Sequence, residues 1–538
     1  MNILQAFFNS FSKKEKIIFV LLVAVFLLSS IARAALAVQK NTEFVPIKGG
    51  RLNVGMVGQP SSINPVIAKS SVDSVLSSVV YSPLGKLSKK ITTNNFREYT
   101  LTLKEDLKWS DGSSITSEDI IFTLSAIQNS QIKSPLYKKW KGVSVEKISS
   151  NKVRLNLPSK YVFFKKDLAE LEIVPKHAFG SIPTSNLEFS SYNFKPISSE
   201  PYKFKEITRK KNGFVKKYTI EINENYSGSK PYIEELTFHF FKNKSELISA
   251  YKKRKIDLFT FVNPLNNSVR KIDFAKIKQV PTPRYYSVFF NPKSTSPFRK
   301  GKFRKALNSV IDKQAIVNNA LNGQATPVDY PYTPAVDFNL QQKTPIKPKK
   351  VIRKMKNNNS DKKNKEIKIE LTAPNVDFLK PVLQELKKQW KDAGIDRVKI
   401  ETLRNEDFSE AVLRQRNYEA LLFGNVLEHP TDLFPFWHSS QKFYPGLNLS
   451  FFDNSRVDKL LEEIRKSPKS SQRKRKFKKA VRIIKEKAPA SFLFTVPISL
   501  VYKDNLEGID MTSRNIIKTE DLFNGINNWY LKKVREFK

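Results

Sequence analysis

Any chemistry this chain performs must rest on a small set of side chains, and the sequence narrows that set. There is no cysteine, which removes disulfides, thiolate metal sites, a cysteine nucleophile and a lipid-modified cysteine anchor. The four histidines are His177, His239, His429 and His438. His429 and His438 stand nine residues apart, which is not a helical metal-ligand spacing. No Gly-x-Ser-x-Gly elbow, no His-Glu-x-x-His and no glycine-rich phosphate loop ending in Lys-Ser/Thr occurs. Carboxylates are plentiful, but no pattern marks a pair for glycoside hydrolysis. A hydrolase is therefore the least supported class. No catalytic residue, metal or cofactor is expected, and aromatic residues, 12% of the chain, are plentiful enough to line a pocket.

The elements that would position such a site are legible from patterning. Period-two alternation marks strands at Thr100-Leu-Thr-Leu-Lys, Val153-Arg-Leu-Asn-Leu, Tyr218-Thr-Ile-Glu-Ile, Ile367-Lys-Ile-Glu-Leu and Val398-Lys-Ile-Glu-Thr. Thr116-Ser-Glu-Asp119 has the form of a capping box and predicts a helix with Ile120, Leu124 and Ile127 on one face. Asp312 is placed to cap a helix bearing Ile316, Val317, Ala320 and Leu321, which Gly323 would stop. Val382, Leu383, Leu386 and Trp390, ended by Gly394, form another stripe, and Val457, Leu460, Leu461 and Ile464 a fourth. Apolar stripes at this spacing predict core, not ligand contacts. The result is an α/β chain without a clean βαβ repeat. At 538 residues it calls for two or three domains.

Two features of composition bear on partners. The formal charge is +43, which suits either an anionic surface or a lysine-rich solvated one. The lysine runs are scattered along the chain, which favours the solvated reading; some attraction to anionic lipid or cell-wall polymer is expected in both cases. Residues 341–365 are rich in Lys, Asn, Gln and Pro and predict an exposed basic loop. No aromatic residue is interleaved there for base stacking, so no specific nucleic acid partner is expected.

The amino terminus sets the compartment. Residues 17–38 are mostly apolar with one charge, Arg33, and Lys13, Lys14 and Lys16 precede them. Flanking positive charge keeps that end in the cytoplasm and exports the chain beyond the apolar stretch. A signal peptide would be cut near Ala32-Arg33-Ala34 or Ala35-Leu36-Ala37. An uncleaved anchor needs about 20 apolar residues, and this stretch is long enough, with Arg33 able to snorkel. The anchor is the preferred reading.

Several segments, taken in order, resemble the extracytoplasmic solute-binding proteins of family 5, the substrate-binding proteins of peptide, dipeptide, oligopeptide and nickel ABC transporters. They begin with Gly49-Gly-Arg-Leu-Asn-Val-Gly and Gln59-Pro-Ser-Ser-Ile-Asn-Pro65. Tyr81-Ser-Pro-Leu84, then Trp109-Ser-Asp-Gly112 with Ile115-Thr-Ser-Glu-Asp-Ile-Ile-Phe-Thr-Leu124, continue the pattern. Pro201-Tyr202, Ile222-Asn-Glu-Asn-Tyr226, Gly228-Ser-Lys-Pro-Tyr-Ile-Glu-Glu235, Phe303-Arg-Lys-Ala-Leu307 and Val457-Asp-Lys-Leu-Leu461 come after them. Each motif alone is weak; their common order is the signal, and it spans about 49–502. Ser227 departs from the family, which usually has an aromatic residue there.

The resemblance implies an α/β, two-lobed periplasmic-binding-protein-like fold (type II, cluster C), with an extra subdomain in the first lobe and an N-terminal transmembrane helix. It implies this division: 1–16 a cytoplasmic basic terminus, 17–38 the anchor or signal peptide, 39–50 a linker. Lobe I would comprise 51–85, 200–297 and 498–538, with 86–199 as its inserted subdomain, and lobe II 298–497. It implies capture of an oligopeptide by lobe closure and delivery to an ABC permease and ATPase complex, by a monomer. Other cargoes of the same fold, an oligosaccharide or a nickel complex, remain open, as does a cationic cell-surface adhesin.

The resemblance also implies site residues. In the family a carboxylate after Gly-Trp commonly meets the peptide's ammonium. Here that segment reads FGNVLEHPTDLFPFWHSSQ over 423–441, with Asn425 in place of the Trp and Glu428 or Asp432 near the acid position. Trp437, His438 and Tyr444 would line the same side. From the first lobe the resemblance offers Ser61, Ser62, Asn64, Tyr81, Trp109 and Asp111 at the cleft rim, although Trp109-Ser-Asp-Gly112 also reads as a tight turn over a buried Trp.

Overall fold

The computed structural model describes residues 10–262, 264–265, 267–294, 296–332, 348–357, 366–511 and 516–537. Among them the strands form four sheets. The largest is seven-stranded, in the order Ala275–Val280, Ile498–Lys503, Leu258–Phe261, Arg51–Val57, Glu235–Phe241, Val215–Ile222, Tyr202–Arg209. A six-stranded sheet has the order Thr326–Pro327, Ala490–Thr495, Arg284–Phe290, Ala420–Val426, Lys368–Pro374, Arg397–Leu403. These two mixed sheets are the frames of the two lobes. A four-stranded antiparallel sheet, Ser88–Thr92, Glu98–Leu103, Lys152–Asn156, Ser144–Ser149, forms the inserted part.

Local sequence explains these elements. Strand Glu98–Leu103 alternates exposed and buried residues, as its Tyr-Thr-Leu-Thr-Leu pattern requires. At Thr116 both halves of the capping box are made: its side chain accepts from the Glu118 N–H at 3.2 Å, and the Asp119 carboxylate accepts from its backbone N–H at 2.8 Å. Such a cap contributes about 1 kcal/mol. Ile120, Leu124 and Ile127 are then buried. Asp312 does cap its helix, through the Ala315 N–H at 2.9 Å. The expected regular helix is only Lys313–Ala315, because the backbone widens into a π turn over Ile316–Ala320. That turn still buries Ile316 and Val317.

The inserted sheet does not have a core of its own. Trp109, Trp140, Tyr99 and Leu101 belong to one apolar cluster with Leu52, Val54, Tyr218 and Leu236 of the large sheet. The carboxyl-terminal residues Leu522, Phe523 and Trp529 complete that cluster. The second lobe packs a cluster on each face of its sheet, one around Trp390 and one around Trp437.

The chain crosses between the sheets at Pro281–Pro283 and again at Val496–Pro497. Thr282 ties the crossings together: its hydroxyl donates to the Val496 carbonyl at 3.0 Å, and its carbonyl accepts from the Thr495 hydroxyl at 3.4 Å. The first crossing comes earlier than the 297/298 boundary implied by sequence. The reason is register: Arg284–Phe290 pairs antiparallel with both Ala420–Val426 and Ala490–Thr495 of the second sheet. A third tie is the Gln324 side chain, whose amide donates to and accepts from the Leu265 backbone, both at 2.8 Å.

Two other expectations are corrected. The 39–50 segment is not a plain linker: Thr42–Ile47 pairs with Lys532–Phe537 as a two-stranded antiparallel sheet. Phe44 is held there between Lys533 and Arg535, at 4.6 and 4.9 Å from its ring centre. Within the expected basic loop 341–365, residues 341–347 and 358–365 lie outside the described residues, and Pro348–Asn357 is helical. Ile352 anchors that helix by full burial in the second lobe's core, which composition concealed. The apolar amino-terminal segment is one helix, Lys13–Asn41, capped by Ser12 and with no buried residue.

Candidate functional site

Strand Ala420–Val426 carries the chain to the crossing, where the Leu427 N–H donates to the Pro283 carbonyl at 2.8 Å. The next residue, Glu428, therefore stands where the two lobes meet. Its carboxylate takes one oxygen to Lys139 Nζ at 2.5 Å and the other to Lys518 Nζ at 3.7 Å. Its carbonyl accepts from Lys166 at 2.9 Å. All three lysines belong to the first lobe and its insertion. Burial pushes the Glu428 carboxyl up, but the ammonium of Lys139, then that of Lys518, outweigh it and hold the group below the usual range.

His429 joins the same cluster through Asp167. It is buried, its Nε2 lies 2.9 Å from Asp167 Oδ1, and its ring stacks on Phe163 at 4.9 Å. Asp167 also meets Lys139 at 3.3 Å. Burial raises the Asp167 carboxyl; the His429 hydrogen bond and the Lys139 charge more than cancel this and leave it lowered.

Asp432 takes its cation from its own lobe and a hydroxyl from the first lobe's insertion. Arg465 grips it through Nε at 3.0 Å from both oxygens and Nη2 at 2.8 Å, and the Tyr161 hydroxyl donates to it at 3.3 Å. The Arg465 guanidinium lies 4.0 Å over the Phe434 ring and 5.2 Å over Tyr161. Burial, with the Asp432 and Asp167 charges beside it, pushes the Tyr161 hydroxyl far above the usual tyrosine range. The Arg465 carbonyl accepts from the Val162 N–H at 2.9 Å. Lys138 completes the meeting line, donating to Gln441 at 3.1 Å and the Pro445 carbonyl at 3.3 Å.

An acidic patch lies behind Lys518. Burial pushes Glu172 up to about 8; the Ser77 hydroxyl that donates to it works against this, and Glu520 and Glu200 add to it. Burial also raises Glu520, against the pull of Lys518.

The remaining sequence-derived candidates fall elsewhere. Trp437 is buried against Phe289, Phe452 and Phe492, and offers no surface to a guest in this conformation. Trp109 is buried edge-on to Tyr81 at 6.4 Å, and both are core. The turn under Trp109 is the tight one its sequence allows: Gly112 has φ +89° and donates to the Trp109 carbonyl at 2.9 Å. Ser61 and Ser62 are spent on the Asp73 carboxylate, to which both donate backbone N–H bonds, at 2.7 and 3.2 Å. Asn64 closes a local turn with Val66 at 2.9 Å. Asp111 pairs with His177 at 2.7 Å. His438 stacks on Phe434 at 4.1 Å and meets Ser440 at 2.8 Å. Tyr444 is exposed beneath Arg414.

The structure thus brings Glu428, His429 and Asp432 to one line between the lobes. Among the described residues, no hydrogen bond, ion pair or ring contact joins that line to the Ser61–Asn64 group. Sequence reasoning missed Lys139, Tyr161, Lys166, Asp167, Arg465, Lys518 and Glu172. No local pattern marks them; Lys139 and Glu428 are 289 positions apart. Among the described residues no three metal-ligating side chains cluster.

Known proteins share this architecture. The family model for bacterial extracellular solute-binding proteins, family 5 Middle, matches residues 63–444. The oligopeptide-binding protein AppA of Bacillus subtilis (strain 168) is 26% identical over 529 residues, covering 91% of this chain and 93% of AppA. The structure of Bacillus subtilis AppA in complex with a nonapeptide superposes with a TM-score of 0.73 at 24% identity, covering 91% of this chain and all of that one. NikZ from Campylobacter jejuni, in complex with Ni(L-His), gives a TM-score of 0.73 at 23% identity over 89% of this chain and 99% of NikZ.

Proposed function

This chain belongs to the bacterial extracellular solute-binding proteins of family 5, and from that premise we propose that it captures oligopeptides outside the cytoplasmic membrane and hands them to an ABC permease and its ATPase. The observation that carries the reading is mechanical. Two sheets with their own cores are joined by two short crossings pinned at Thr282 and by the Gln324 clamp, and they face each other across ion pairs and hydrogen bonds, with Phe163 of the insertion packed against the second lobe. Such a pair can open and close as rigid bodies around a guest. An extended peptide supplies its own backbone donors and acceptors, so it can be held without regard to side-chain identity. The cargo class is argued from AppA, whose alignment spans nearly the whole of both chains. No bond is made or broken in this reading.

Native mass spectrometry of the full chain, released from detergent, tests it. A mass excess made of peptides of several residues is the expected result. A non-peptide guest would overturn the cargo, and scattering curves unchanged by a saturating peptide pool would overturn the closure.

The helix Lys13–Asn41 is proposed as an uncleaved anchor that keeps the folded part against the outer face of the membrane. The full chain is expected to sediment with membranes. Removal of residues 1–41 should release it and move the melting temperature by no more than about 1 °C, because the helix buries nothing in the body. A mature amino terminus beginning after Ala34 or Ala37 would instead show a cleaved signal.

A further inference from the structure

The cations that satisfy the acids between the lobes are the protein's own. Lys139 lies in the short helix Tyr137–Trp140. Its neighbour Trp140 is buried against Phe164 at 5.3 Å, which fixes the backbone there. From that mount Lys139 Nζ reaches Glu428 Oε2 at 2.5 Å and Asp167 Oδ1 at 3.3 Å. Lys518 holds the other Glu428 oxygen at 3.7 Å, and His429 shares Asp167 Oδ1 at 2.9 Å. Both Glu428 oxygens and Asp167 Oδ1 thus already meet a cation of the protein's own, although Lys518 also faces Glu520 and Glu172. An incoming ammonium would have to add a third positive charge, or displace Lys139 and leave it unpaired in a partly buried place. Neither exchange yields net attraction, because one ammonium replaces another. The surroundings favour the charged lysine: burial lowers its affinity for the proton, but Asp167 and then Glu428 outweigh that and raise it.

We propose that Lys139 is a specificity-determining residue, an internal counter-ion that makes capture indifferent to the guest's terminal ammonium. The substrate class then includes peptides whose amino terminus is blocked. This rests on the reading that the cargo is a peptide held between the lobes.

Two measurements on the full chain in detergent test the assignment. The first compares a pool of nonapeptides with its N-acetylated twin. The wild type should hold both within about threefold, and Lys139→Arg should keep that ratio. Lys139→Met uncovers Glu428 and Asp167 and should favour the free-amine pool by about tenfold or more. A wild type that prefers free amines by tenfold overturns the proposal, as does a folded Lys139→Met with an unchanged ratio.

The second measurement needs no peptide. Acylation of amines, read by mass mapping, should find Lys139 about tenfold slower than exposed Lys141, and Glu428→Gln should remove much of that protection. If Lys139 reacts as fast as Lys141, the proposal falls. If Lys139 is protected through Glu428 and neither pool is held, the peptide reading falls and the counter-ion assignment stands.

Discussion

Replacing Arg465 with methionine is expected to destabilise the second lobe by about 3–5 kcal/mol, the cost of leaving a buried charge without its partner. Asp432 is buried, and Arg465 meets both of its oxygens in a forked geometry. Methionine keeps the apolar contact with Phe434 and Tyr161 but supplies no donor. The Tyr161 hydroxyl and the Phe434 N–H, at 3.3 and 3.2 Å, would then face the carboxylate without a cation. The double variant Arg465→Met with Asp432→Leu removes both charges and should recover most of the loss. The remainder, about 1 kcal/mol, reflects the cation over the Phe434 and Tyr161 rings. Urea titrations of the four proteins in the cycle measure this. A single-variant loss below about 1 kcal/mol would place Asp432 in contact with water, and a double variant no better than Arg465→Met would show that packing, not charge, is what Arg465 provides.

The second large effect depends on pH. Burial pushes Glu172 up to about 8, well above the ordinary carboxyl value of 4.5. The folded state therefore favours the protonated acid. Its contribution to stability is fully present below pH 4.5 and is lost as the pH rises through 8. Glu172→Gln keeps an acceptor for the Ser77 hydroxyl and has no charge to bury. It should match the wild type near pH 4.5 and exceed it by on the order of 3 kcal/mol above pH 8, a value discounted because Glu172 is only half-buried. Melting curves of both proteins from about pH 4.5 to about 9 decide the point. Parallel curves across that range would mean that Glu172 ionises as an ordinary surface acid.

These two groups show how differently the parts of a site can be read. Asp432 stands out as a candidate because it lies just past Glu428 in a recognisable segment. Its role as an Arg465 partner does not, since Arg465 lies on a helix 33 positions later and nothing in Ser455–Lys466 distinguishes it from the other cations there. Glu172 is invisible altogether: an acid beside Leu171 and Ile173 has no signature until the first lobe buries it. Glu428 is legible as a cleft acid, but its occupancy by Lys139 is not.

Features that depend on near neighbours could be read directly from the chain: the capping box at Thr116, the alternation of the strand at Thr100–Leu103, the stripe through Leu386 and Trp390, the apolar helix at the amino terminus, and the family order of short motifs. Those signals are written within one turn or one strand, so a local window contains them. The identity of the side chains that face the interlobe line, and the charge each meets there, came only with the packed lobes. Trp109, Tyr81 and Trp437 went to the cores because a packed sheet claims large apolar area first. Glu428, Asp167 and Lys139 met because the chain crosses between lobes at Pro281–Pro283 and Val496–Pro497, and electrostatic pairing is set by distance in space, which no spacing along the chain encodes.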